Sequence, residues 1–110
     1  MSATLSVLAA VIDNLVDVDP AVLADGEAMV DLHRQLERLA AVTTRATAAF
    51  DAAKAWEPDG ARSAPTWLTT RCAMPATTAR RRVRLGRALR HLPVAEAAWL
   101  AGDIGEAQVG

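Results

Sequence analysis

Six arginines lie within eleven residues of this chain, at Arg80, Arg81, Arg82, Arg84, Arg87 and Arg90, with His91 next to the last. A guanidinium is charged at any working pH and presents a planar fork of donors that fits a phosphate or a carboxylate. On a helix, at about 100° per residue, Arg80, Arg84, Arg87 and His91 share one narrow face. Leu85, Leu89 and Leu92 take the opposite face, Arg81 and Arg90 flank the stripe, and Arg82 lies nearer the apolar side. Two partners suit such a stripe. One is DNA, with Arg80, Arg81, Arg84, Arg87 and His91 as the contacts and an affinity that falls steeply with salt. The other is the set of carboxylates elsewhere in the same chain, which would make the stripe a face of ion pairs.

Other chemistry has little to draw on. His33 and His91 are the only histidines, Asn14 is the only asparagine and Cys72 the only cysteine, and they are scattered. That spacing offers no metal ligand set, no nucleophile beside a base and no disulfide. Cys72 reads as a partly buried packing residue. The glycines are dispersed and form no phosphate-cradling loop. No catalytic residue, cofactor or small-molecule ligand is expected. Trp56, Trp67 and Trp99 fall near helix boundaries, where stacking on bases and anchoring of helix junctions are both open to them; so few other large side chains exist that anchoring is the expected use.

The elements that would carry these residues are helices. Leu5, Leu8, Ile12 and Leu15 recur at steps of three, four and three, which predicts a first helix over about 3–17. Asp25 is placed to cap a second helix, along which Met29, Leu32, Leu36, Leu39, Thr43, Ala46, Phe50 and Ala53 repeat every seven residues to about Ala55. The second half of that repeat is mostly small residues, so a neighbouring backbone is expected to approach closely along this seam. Ser63 with Pro65 opens a short helix over about 64–72, and the arginine-rich helix follows over about 76–91. A fifth helix covers about 94–101, and a sixth begins near Ile104. The stretch 66–85 has the outline of a helix-turn-helix corner, except that Thr69 and Arg82 stand where apolar residues are usual. The expected fold is all-α, a long antiparallel helix pair over 1–55 and an arginine-rich helical cluster over 61–110, together one domain.

The net charge of −1 conceals a division. Residues 1–60 carry ten acidic and four basic side chains, and residues 61–110 carry three acidic and eight basic ones. Aromatics are 4% of a chain that is 52% hydrophobic, so alanine supplies much of the apolar surface and close helix packing is favoured. No apolar run reaches the ~18 residues of a membrane span, and the N-terminus lacks the basic start of a signal peptide. With a free cysteine besides, a cytoplasmic location is expected.

Two stretches resemble one family. WEPDGARSAPTWLTTR at 56–71 and MPATTARRRVRLGRALRHLPVAEAAWLAGDIGEAQ at 74–108 are similar to the actinobacterial domain of unknown function 222, found in mycobacterial repeat-family proteins. The resemblance is carried by Trp56, Gly60, Ala61, Arg62, Ser63, Trp67, Leu68, Pro75, Arg80 to Arg82, Leu92, Pro93, Gly102, Asp103 and Ile104. Members often carry a C-terminal HNH endonuclease domain. The resemblance therefore implies a non-catalytic, nuclease-associated helical domain. It also implies that the chain is the N-terminal part of a longer one, with the HNH domain outside it. A second class of function stays open beside DNA contact, an interaction or oligomerisation module. In it Leu5, Leu8, Ile12, Leu32, Leu36 and Leu39 would meet another copy or that C-terminal region. A truncated remnant without activity of its own is a third.

Overall fold

The computed structural model describes residues 2–109, and no strand occurs among them. The chain is all-α: α1 spans Ala3–Val16, α2 Gly26–Ala52, α3 Ala64–Arg71, α4 Ala76–Leu89, α5 Pro93–Ala101 and α6 Glu106–Val109. Short 3-10 turns cover Pro20–Leu23 and Glu57–Asp59. The helix ends follow from local chemistry. Asp25 accepts a hydrogen bond from the Ala28 N–H at 2.8 Å, and Ser63 accepts one from the Thr66 N–H at 3.3 Å. Pro65 and Pro93 sit in first turns, where a missing N–H costs nothing. Gly102 ends α5 in the left-handed conformation, at φ 81°.

The chain divides into two compact units, Met1–Leu32 and His33–Gly110. The first holds α1, a 3-10 turn and the opening turns of α2; no residue of α1 is buried. The second holds a core in two clusters. Ala41, Leu85, Leu89 and Trp99 form one, and Ala64, Leu68, Ala79 and Val83 the other. α4 supplies members of both, so its apolar back is what the second unit is built around.

The seven-residue seam expected to pack along α2 packs only at Phe50, half-buried against Trp67; the rest of it is not the face that packs. Leu36 is 62% exposed and Leu39 37%, and Thr43 and Ala46 are exposed as well. The buried residues are instead Ala41, Thr44, Thr47 and Ala48, on a face turned roughly 100° from the leucines. The reason is distance. A Cβ placed on Gly86 of α4 would lie 3.0 Å from the Ala48 Cβ and 3.1 Å from the Thr44 carbonyl oxygen, so α4 runs against the backbone of α2. Only small side chains permit that approach, and the leucines do not. The threonines are satisfied within the helix, Thr44 and Thr47 donating to the carbonyls of Ala40 and Thr43 at 2.8 Å.

The tryptophans anchor helix junctions. Trp99 is fully buried, and its indole N–H donates to Glu37 Oε2 at 2.8 Å. The same oxygen accepts the Glu106 N–H at 3.0 Å, tying α2 to the start of α6. Trp67 lies 4.6 Å from the Phe50 ring, centroid to centroid, and donates to Asp59 at 2.8 Å. Arg34 and Arg38 donate to the Ala101 and Leu100 carbonyls at 3.0 and 3.1 Å, satisfying the C-terminal end of α5. Cys72, expected to be partly buried, is exposed.

Between α3 and α4, Ala73 holds a left-handed backbone at φ 52°. A Cβ in that region costs about 1–2 kcal/mol, which glycine avoids at a smaller cost in unfolded-chain entropy. Ala73→Gly is expected to stabilise the protein by about 0.5–1 kcal/mol. Urea unfolding followed by circular dichroism checks this, and a loss of stability would contradict it.

Candidate nucleic-acid interface

α4 opens without a side-chain cap, directly after Pro75. Its inward face carries Ala79, Val83, Leu85, Gly86 and Leu89, all buried. Arg80, Arg81, Arg84 and Arg87 are exposed, Arg90 and His91 beyond the helix end are exposed too, and Arg82 is half-buried toward the apolar side. The stripe therefore exists on one side of a rod whose back is anchored, with one departure. Leu92, expected to share that back, is 42% exposed.

The arginines do not have equal freedom. Arg87 is engaged: its Nε and Nη2 donate to the two Asp51 oxygens at 2.8 and 3.1 Å. This fork-to-fork contact joins α4 to α2 and takes Arg87 out of the set available to phosphate. Lys54 stands three residues from Asp51, but the carboxylate turns to Arg87. The Asp51 hydrogen bonds and charge hold the Arg87 guanidinium above its ordinary pKa. A raised arginine contributes its stability below that value and loses it only as pH climbs through it, far beyond working conditions. Arg87 is largely exposed, so the pair is worth about 0–1 kcal/mol.

Arg81 lies 3.8 Å from Glu106, a distance too long for a hydrogen bond. Arg80 and Arg84 make no hydrogen bond or ion pair with any described residue. Arg80 edges a shallow groove of about 320 Å³ between α3 and α4, lined also by Thr66, Thr69 and Thr70. Arg81 and Arg84 edge a larger one of about 660 Å³, floored by Leu85, Ala88 and Leu92. α3 and α4 pack through Leu68, Ala79 and Val83, so the helix-turn-helix outline is a packed corner. Thr69 is exposed there, and its hydroxyl is satisfied by the Pro65 carbonyl at 3.0 Å.

The threonine-lined groove and the Asp51 clamp were not legible from spacing. Among the described residues, no three His, Cys, Asp or Glu side chains gather in a way that would hold a metal ion. Among the same residues, no helix is long and apolar enough to cross a membrane.

The profile of one family matches residues 26–110, described as a domain of unknown function (DUF222). The chain belongs to this family, and the matched span begins at the first residue of α2. No curated protein and no solved structure matches the chain.

Proposed function

We propose that this chain is a non-catalytic helical domain of an HNH-nuclease-associated protein, and that it contacts the DNA backbone through the outer face of α4. The observation that carries the reading is Arg80 and Arg84, one turn apart, exposed and with no carboxylate partner among the described residues, over a buried apolar back. Arg81 and His91 extend the same face. Phosphate is the partner that suits it: guanidiniums on a rigid rod meet successive phosphates without requiring any base sequence. The nuclease context rests on the resemblance stated above, to a family whose members often carry an HNH domain, and a search of the adjoining genomic DNA tests it. An HNH-encoding stretch beside the gene is the expected finding, and its absence would remove that context.

The DNA contact is tested by fluorescence anisotropy with a labelled duplex. Replacing Arg80 and Arg84 together by alanine is expected to weaken binding to all sequences alike and to flatten the salt dependence by about two phosphate contacts. Asp51→Ala should do the reverse. It frees Arg87, which sits on the same side of α4, and steepens the salt slope by about one contact. Binding unchanged in both variants would mean that α4 is not the surface.

A further inference from the structure

We infer that the seam between α2 and α4 holds a further phosphate site, with Arg45 and Arg90 gripping one phosphodiester of the DNA between them. The inference rests on the reading of α4 as a DNA-backbone contact and extends that contact onto a second helix. A groove of about 220 Å³ runs along the seam, floored by Ala48, Ala49, Ala52 and Gly86. It exists because the helices meet closely at Gly86, where no side chain larger than a methyl group fits between them. Arg45, Ala49 and Ala52 stand at i, i+4 and i+7, the groove-side edge of α2, and Gly86 and Arg90 at i and i+4, the facing edge of α4. Leu89 clusters with Ala41, whereas the cluster of Val83 packs against Phe50. The two helices therefore run antiparallel, and Arg90 arrives beside the Arg45 end of the groove.

Both arginines are exposed, and neither side chain makes a hydrogen bond or ion pair with any described residue. Arg87, on the same seam, differs: it turns two donors to Asp51. Among the described residues, Glu96 of α5 is the one carboxylate lining the groove; it is half-buried and paired with neither arginine. Two charged forks on separate helices, left open over a floor of small residues, suit an oxyanion that accepts from both sides at once. DNA presents such a group at the right interval. Arg90 lies six residues beyond Arg84, about 9 Å along the helix axis, which is the rise of two to three nucleotides of one strand. A duplex lying along α4 thus brings one phosphate to Arg84 and another, a few nucleotides on, to the groove.

Anisotropy of a labelled duplex at several salt concentrations separates this site from the outer face of α4. Replacing Arg45 and Arg90 together by alanine is expected to flatten the salt dependence by about one phosphate contact, whatever the DNA sequence, with the helical circular dichroism unchanged. Glu96→Gln keeps both arginines and should strengthen binding about twofold at the lowest salt, because it removes the carboxylate that faces the phosphate. Lys54→Gln removes an exposed cation outside the groove and controls for net charge; the salt slope should not change. A chain that binds, and loses contacts with Arg80 and Arg84 replaced, yet is indifferent to the Arg45 and Arg90 replacement, overturns the groove site and leaves the α4 reading standing. So does a loss as large from Lys54→Gln. No binding by the wild-type chain overturns both.

Discussion

Trp99→Ala is expected to cost about 3–5 kcal/mol, the range for removing a fully buried tryptophan. For a chain of 110 residues that is a large part of all the stability it has. Three losses combine. The indole fills the space between Ala41, Leu85 and Leu89, and few other large side chains exist to collapse into it. Its N–H donates to Glu37. Glu37 in turn accepts the Glu106 N–H, so the start of α6 loses its fixed partner when Glu37 is released. Trp99→Phe separates these effects, since it keeps most of the ring and removes the donor. The expected order of urea midpoints is wild type, then phenylalanine, then alanine. A cost below about 1 kcal/mol for alanine would mean that Trp99 does not hold this core together.

The second large effect is at Gly86. Its missing Cβ is what lets α4 reach the α2 backbone, and the atoms that a larger side chain would meet, the Ala48 Cβ and the Thr44 carbonyl oxygen, cannot rotate away. Gly86→Val must push the helices apart, at an expected cost of about 1–3 kcal/mol from overpacking. The gain in helix propensity over glycine offsets part of this, so the cost is set against a control. Ala88→Val on the exposed side of the same helix should lose only a few tenths of a kcal/mol in propensity. Equal stability of the two variants would contradict the close approach.

These two positions also mark how far the sequence could be read. Helix ends were legible because their causes are local: Asp25, Ser63, Pro65, Pro75, Pro93 and Gly102 each act within a few residues of themselves. The outer face of α4 was legible because its two sides differ so sharply in character. The packing face of α2 was not. Leucine periodicity reports where large apolar residues lie, but the second unit uses the neighbouring face, where Ala41, Thr44, Thr47 and Ala48 are small enough to admit α4. A glycine in the middle of α4 together with small residues three and four apart on α2 was the available signal. The Arg87–Asp51 clamp and the Arg34 and Arg38 contacts to α5 join residues 36 to 67 positions apart, and no local pattern encodes such pairs.

The central claim is that α4 offers phosphate a row of exposed guanidiniums. Titrating the wild-type chain into a short duplex at several salt concentrations between roughly 50 and 200 mM tests it most directly. With Arg80, Arg81 and Arg84 as the contacts, log K should fall against log salt with a slope of about −3. A slope near zero, or no binding at the lowest salt, would contradict it.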